Sequence, residues 1–252
     1  ADAYLGTKDP GVLGVILTNW IPSRYVQNSI WDGFAYAAVA FHQGTATAQT
    51  SGLRRFVERH YQASWSETWD EAFHLIYDDA PYIQDRESST WMGLRLSIPW
   101  SNDEQLTTLI RDGSPRQNPF TRLRSLLVLL EPSVLKNLGD FQAFALSVEY
   151  LERMFWREAV ILEYAAKQPV ARGTSDLLIQ SIAQRDQALA EALSRDWDKG
   201  RPADSPAKSD SIFGLAPKDQ LLFQWSRATT YSASLASHPD RFYQLIARAK
   251  LG

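Results

Sequence analysis

Hydrophobic positions from residue 50 onward recur at steps of three and four, the spacing of one face of an α-helix. The longest such stripe follows Pro132, and another follows a break at residues 169–173. Both predict long helices, with Thr174 as the N-cap of the second and Trp197 on its buried side. The two stripes are Phe141, Phe144, Val148, Leu151, Phe155, Ala159 and Leu162, and then Leu178, Ile182, Leu189, Leu193 and Trp197.

Shorter helices are predicted on either side of these two. Each is indicated by a short apolar stripe, by a capping residue or by a proline at its start. One is expected at residues 53–60, and a second begins at Ser66 with Trp69, Ala72, Phe73 and Ile76 on one side. A third is capped by Ser101 or Asn102 and ends before Gly113. Two more are expected at residues 217–235 and 239–251. Residues 78–100 and 198–211 have loop composition. Antiparallel helices with short connections predict a helical bundle.

The N-terminal pattern is different. Residues 12–18 form a continuous apolar run rich in β-branched side chains, which is typical of a strand covered on both faces. After the loop 19–27, Ser29 and Asp32 match a capping box that opens a helix to about His42, ended by Gly44. The apolar side of this helix is expected to comprise Ile30, Phe34, Ala37, Ala38 and Phe41. One such strand cannot form a sheet, so we expect that sequence before Ala1 has been removed.

These patterns together predict a mainly α protein with two parts. Residues 1–48 form a strand–loop–helix unit that resembles the last βα unit of a (β/α)8 barrel. Residues 49–252 form an α-helical C-terminal domain built as a bundle.

Composition narrows the possible functions. The net charge is −3, so the chain has no excess of basic residues to neutralise phosphates, and nucleic acid is not an expected partner. No apolar run approaches the roughly 18 residues that cross a bilayer, so no membrane association is expected. Cysteine is absent, which excludes disulfides and thiolate chemistry. The four histidines lie far apart without metal-ligand spacing, so neither a metal nor a cofactor is predicted.

Two pairs of adjacent carboxylates could suggest glycoside hydrolysis, which commonly uses two such groups. Asp70 and Glu71 point in different directions from a predicted helix, and Asp103 and Glu104 fall in a first helical turn, where acids favour the helix dipole. Both pairs are interpreted as structural. No catalytic residue is therefore predicted in this chain.

The end of the predicted strand is the best candidate for a binding site. If residues 12–18 are a barrel strand, Asn19 and Trp20 lie at its C-terminal end, where barrel enzymes build their sites. The Asn19 amide can hold a sugar hydroxyl, Trp20 offers a flat apolar wall, and Arg24 and Tyr25 could close the rim. In the alternative interpretation Trp20 closes a hydrophobic core and Arg24 pairs with an acid.

Three segments resemble the end of the barrel of family 20 glycoside hydrolases, the β-N-acetylhexosaminidase-like proteins. They are Gly-Val-Ile-Leu-Thr-Asn-Trp at 14–20, Trp-Asp-Gly-Phe-Ala-Tyr-Ala-Ala at 31–38 and Arg-Phe-Val-Glu-Arg-His-Tyr at 55–61. Residues 190–202 are similar to the C-terminal helical extension of some bacterial members. The resemblance implies that Trp20 walls a sugar pocket. Where the family has an acid shortly after this Trp, the chain has Ile21-Pro22-Ser23, and the family's catalytic Asp-Glu pair has no counterpart here.

The resemblance predicts the C-terminal portion of a carbohydrate-active hydrolase, which supports the barrel and contributes at most a pocket wall. Carbohydrate would be a partner through the larger protein, which would be bacterial and periplasmic or extracellular. The chain alone is expected to hydrolyse no aryl glycoside. The alternative is a non-enzymatic helical bundle that acts as an interaction or scaffold module. An exposed aromatic groove that uses Trp91, Trp100 or Trp156 would favour this alternative. The sequence does not determine the oligomeric state.

Overall fold

A computed structural model of the chain describes residues 31–77, 100–113, 118, 120–167, 172–199 and 217–251. Helices account for 90% of this part of the chain, and it contains no strand. The prediction of a mainly α protein built as a helical bundle is confirmed. The predicted strand at residues 12–18 and most of the two predicted loops lie outside the described residues.

Nine helices occur in the described ranges. One of them, α2, covers residues 45–61 and contains two π-helical turns, at Ala48–Gly52 and Val57–Tyr61. The others are α1 (Trp31–Gln43), α3 (Glu67–Tyr77), α4 (Asp103–Asp112), α5 (Phe120–Leu130), α6 (Leu138–Ala166), α7 (Arg172–Lys199), α8 (Pro217–Ser237) and α9 (Pro239–Leu251).

The helices belong to two compact units. The first contains residues 1–81 and 122–148, and the second contains residues 82–121 and 149–252. Helix α6 contributes its residues up to Val148 to the first unit and the rest to the second. The predicted boundary after residue 48 stays a prediction, because most of the segment before it lies outside the described residues.

In the first unit, α1 packs against α2. Gly44 ends α1 with φ of 89°, a conformation that favours glycine, and its N–H donates to the Ala40 carbonyl at 3.0 Å. Gly52 allows a close approach of the two helices, because a Cβ there would lie 3.1 Å from Val39. The predicted apolar side of α1 is wrong in part: Ala38 is exposed, whereas Ala40 is buried, since the side next to Val39 faces α2.

Aromatic side chains fill the core of the first unit. Tyr61 stacks on Trp69 with ring centroids 5.8 Å apart, and Phe141 meets Trp69 edge-on at 5.7 Å. Such pairs contribute roughly 0.5–1.5 kcal/mol each beyond the area they bury. The predicted buried side of α3 is confirmed, because Trp69, Ala72, Phe73 and Ile76 are all buried.

In the second unit, α7 packs against α8, and α9 packs against α4, α7 and α8. The shared core comprises Leu106, Ile161, Ile179, Ile182, Leu235, Phe242, Leu245 and Ile246. Asn102 caps α4 as predicted, since its Oδ1 accepts from the Gln105 N–H at 2.9 Å. Trp197 is buried on α7, which confirms its predicted position.

One predicted helix start is wrong, and one helix was not predicted. Thr174 does not cap α7, which already begins at Arg172, and the Arg172 side chain forms an exposed ion pair with Asp240 of α9. Helix α5 is absent from the predicted elements, although Leu123, Leu126, Leu127 and Leu130 are buried at helical spacing. That stripe covers only eight residues, too few to stand out beside the longer stripes.

We expect Trp197→Ala to lower the free energy of unfolding by about 3–5 kcal/mol, because it leaves a large cavity in a packed core. Urea denaturation followed by circular dichroism would measure the loss. Leu177→Ala on the same helix is the matched control, because Leu177 is 71% exposed and its truncation should cost little. Equal losses for the two variants would contradict the burial of Trp197.

Candidate functional site

The predicted sugar-contacting residues Asn19, Trp20, Arg24 and Tyr25 lie outside the described residues. Their grouping into one site therefore stays a prediction. The described part of the chain begins with Trp31 at the start of α1. The functional groups that the structure does bring together are a cluster around His60 in the first unit and a buried ion pair in the second.

The cluster around His60 joins two helix ends of the first unit. The Nε2 atom of His60, near the end of α2, lies 3.0 Å from Oδ2 of Asp140 in the first turn of α6. The imidazole stacks on Phe56 with centroids 4.9 Å apart, and the Trp31 ring lies 6.3 Å away. The His60 and Asp140 side chains are 25% and 21% exposed, so water reaches both. The structure thus combines an imidazole, a carboxylate and aromatic rings at a partly open surface.

Residues 135–137 close the C-terminal end of α2. The backbone N–H groups of Leu135 and Lys136 both donate to the Tyr61 carbonyl at 3.0 Å. The Asn137 side chain donates through Nδ2 to the His60 carbonyl at 2.9 Å. Asn137 has φ of 52°, in the left-handed region that Asn tolerates better than most residues. These contacts satisfy carbonyls that a helix end leaves without partners, so the cluster is rigidly held.

The chemistry open to His60 is limited by what already contacts its ring. A carboxylate accepts only, so Nε2 donates its proton to Asp140, and Nδ1 is left to accept from the Asn137 amide 3.3 Å away. Both nitrogens are then engaged. These contacts, together with the stacked Phe56 ring, hold the imidazole in one orientation.

The second unit contains a charged pair at its centre. Arg157 of α6 and Asp186 of α7 form an ion pair, and both side chains are 0% exposed. Ser232 of α8 donates to Asp186 Oδ2 at 2.8 Å, and Trp225 donates through Nε1 to the Asp186 carbonyl at 2.9 Å. Three helices therefore meet at one buried carboxylate.

Aromatic rings cover the Arg157 guanidinium. Its central carbon lies 3.9 Å from the Trp100 ring centroid and 5.8 Å from that of Trp225, a favourable arrangement of a cation on aromatic faces. Trp100 also donates through Nε1 to the Arg157 carbonyl at 3.2 Å. Trp100 has φ of 48°, which is costly for a non-glycine residue. The reciprocal contacts with Arg157 hold Trp100 in that conformation.

Arg157 remains a cation at neutral pH. Burial, with a smaller contribution from nearby Arg153, lowers the pKa of its guanidinium to about 9. That value is still above neutrality, and the Asp186 carboxylate favours the charged form. Because water does not reach the pair, we assign it to folding rather than to catalysis.

The sequence itself contains a signal for this ion pair, in two charged residues that the predicted hydrophobic stripes do not include. Arg157 stands on α6 in register with the buried residues Tyr150, Met154, Ile161 and Tyr164. Asp186 interrupts the stripe of α7 in the same way, between Ile182 and Leu189. A single charge within the apolar stripe of each of two long helices indicates that each charge is buried and needs a partner.

One member of each predicted carboxylate pair forms contacts in the structure. Glu71 binds Arg122 through two hydrogen bonds of 2.7 and 2.8 Å. Asp103 accepts from Tyr231 at 2.7 Å and from Arg241 at 2.8 Å. Burial opposes ionisation of Asp103, but these hydrogen bonds outweigh it and hold the pKa of the carboxyl below its usual value.

Within the described ranges, no three His, Asp or Glu side chains are grouped so as to hold a metal, and no helix is long and apolar enough to span a membrane. Trp100 is buried and so lines no exposed aromatic groove, contrary to the alternative prediction. Trp156 is half-buried between the guanidinium groups of Arg153 and Arg185, at 4.9 and 4.6 Å from its ring centroid. Trp91 lies outside the described residues.

We expect Arg157→Met and Asp186→Leu each to lower the free energy of unfolding by about 3–5 kcal/mol, because each leaves an unpaired charge in the core. The double variant should lose clearly less than the sum of the two, since it removes both charges. Urea denaturation of the four proteins measures the coupling. The exposed pair of Arg172 and Asp240 is the control and should show little coupling. Additive losses at the buried pair would contradict this assignment.

Comparison with known proteins adds no relative to these observations. No protein family, no curated protein and no solved structure matches the chain.

Proposed function

We propose that the chain is the C-terminal portion of a carbohydrate-active hydrolase. In this proposal the helical units support the catalytic barrel, and the segment before α1 contributes one wall of the sugar pocket through Trp20. The catalytic acid belongs to another part of the protein. The proposal makes the two units structural supports rather than a second enzyme.

The observation that carries the proposal is the pairing of α1 with α2. Two of the three segments that resemble the family 20 barrel end, residues 31–38 and 55–61, lie in these two helices. The helices pack directly on one another, with Val39 against Gly52. Such pairing is expected if the resembling segments form one contiguous piece of a larger fold.

The charges of the described helices also support a non-catalytic role. Glu71 and Asp103 form ion pairs with Arg122 and Arg241, and the Asp186 side chain is fully buried. A glycosidase acid must protonate its leaving group at the substrate, and so it must reach the substrate. These three carboxylates have structural tasks instead.

The test is Trp20→Ala in the full-length protein. A strand-end Trp can stack on a pyranose while Asn19 holds a hydroxyl, so the variant should bind oligosaccharide more weakly by about 1–3 kcal/mol. Isothermal titration calorimetry measures the affinity, and the melting temperature should stay near that of the unmodified protein. The 252-residue chain alone should hydrolyse no aryl glycoside.

Trp197→Ala is the matched control, because Trp197 is buried and its loss should affect folding instead of sugar affinity. If Trp20→Ala lowers the melting temperature as much as Trp197→Ala and leaves sugar binding unchanged, Trp20 is a core residue. The hydrolase proposal would then lose its site residue.

A second candidate function is a non-enzymatic interaction module, and one observation favours it. Between α5 and the start of α6, four large apolar side chains are 42–77% exposed: Val128, Leu129, Leu135 and Leu138. Exposed large apolar side chains that lie close together in the sequence can form a patch of the kind that marks a protein–protein contact.

If this patch joins two copies of the chain, the unmodified chain should form dimers at high concentration. The double variant that carries Leu129→Glu and Leu135→Glu should remain a monomer. Sedimentation velocity measures the change in mass. Leu177→Glu, at an exposed leucine of the second unit, should have no effect. A monomeric unmodified chain at every concentration would exclude self-association through the patch.

A further inference from the structure

We propose that Trp31, Asn137 and Asp140, arranged around the His60 imidazole, form a surface binding subsite for a β-linked, gluco-configured oligosaccharide. The site lies within the first unit and needs neither Trp20 nor a catalytic domain. It goes beyond the proposed function, because it concerns a second contact with carbohydrate on the helices themselves.

Trp31 provides the apolar platform. Its residue is 44% exposed, whereas Trp69, Trp100, Trp197 and Trp225 are all buried in the cores of the two units. An aromatic ring left partly at the surface retains capacity to bury apolar area on a ligand. Trp31 is therefore free to act at the surface in a way that these four are not.

The platform is held in place before any ligand binds. The Trp31 ring contacts Phe34 at 6.1 Å and His60 at 6.3 Å between centroids. His60 is in turn fixed by Phe56, Asp140 and Asn137. A ring that is already ordered loses little side-chain entropy on binding, which favours even a small ligand contact.

Polar groups lie beside this platform. Asp140 directs one oxygen to His60, and its other oxygen can accept a hydrogen bond from a ligand. Asn137 uses its Nδ2 for the His60 contacts, which leaves its side-chain oxygen as a second acceptor at an exposed position. Both side chains contact the His60 ring, and the Trp31 ring lies 6.3 Å from it, so all three are arranged around one imidazole.

This combination fits a pyranose with equatorial hydroxyls. Such a sugar presents its axial C–H bonds on a flat face, which packs on an aromatic ring, while the hydroxyls at its edge donate to carboxylate and amide oxygens. A β-linked chain of gluco-configured units keeps these faces extended.

The experiment uses the 252-residue chain with cellohexaose and chitohexaose as separate probes. Two-dimensional NMR of the indole N–H groups, with calorimetry, should show saturable binding of at least one probe with Kd of about 0.1–1 mM, the range of a small exposed site. Trp31→Ala should weaken binding about tenfold, since one large contact is lost. Its circular dichroism and melting temperature should match those of the unmodified chain.

Two further variants separate binding from folding. Asn137→Gly keeps the left-handed backbone accessible and removes only the amide, so it should weaken binding by a factor of about three to ten. Trp65→Ala is the matched control: Trp65 is a half-buried tryptophan of the same unit that stacks on Phe73, and its loss should leave affinity unchanged.

Three results would overturn the subsite. The first is no saturable binding of either probe up to ~10 mM. The second is an affinity in both Trp31→Ala and Asn137→Gly that equals that of the unmodified chain, and the third is binding of a lysine- and arginine-rich peptide at Trp31 while neither sugar binds. The outcome is separate from that of the hydrolase proposal, which is tested at Trp20 in the full-length protein.

Discussion

The second unit depends on one buried ion pair, between Arg157 and Asp186. Neither side chain reaches water, so each charge would be strongly destabilising without the other. Successive residues of a helix point about 100° apart, and rotating α6 or α7 by a single residue would therefore separate the charges. Two residues of α8, Ser232 and Trp225, also donate hydrogen bonds to Asp186, so α8 packs at the same position. Apolar contacts stabilise these helices, and the charges select one arrangement among the many that apolar contacts allow.

In the first unit the corresponding constraint is the end of α2. Its last carbonyls are satisfied by residues 135–137, and His60 pairs with Asp140 at the start of α6. This arrangement fixes the position of His60 and, through it, the surroundings of Trp31. An aromatic ring at the surface beside fixed acceptors is a feature of binding sites rather than of cores. The functional proposals for this chain therefore concern recognition of carbohydrate, with hydrolysis assigned to another part of the protein.

The sequence by itself determined the helical architecture. Stripes at steps of three and four predicted α6 and α7, and the stripe on α3 predicted the burial of Trp69 and Phe73. Such burial is predictable because the apolar face of a helix packs against some other part of the protein, whichever part that is. Local chemistry also fixed several boundaries: the Asn102 side chain caps α4, and Gly44 ends α1. These features depend on neighbours within a few residues. Thr174 is an exception, because α7 already begins at Arg172, two residues before the predicted cap.

Only the tertiary structure decided which polar groups meet. His60 and Asp140 are 80 residues apart, and Trp100 and Arg157 are 57 apart. Periodicity shows that Arg157 and Asp186 lie on apolar stripes, but it does not identify their partners. The left-handed backbone conformation of Trp100 likewise cannot be predicted from the sequence. In the structure it accompanies contacts of the Trp100 side chain with the guanidinium and the backbone carbonyl of Arg157. Local patterns specify which face of a helix is buried. The pairing of buried charges depends on how the helices pack, since that packing alone sets the distances between residues remote in sequence.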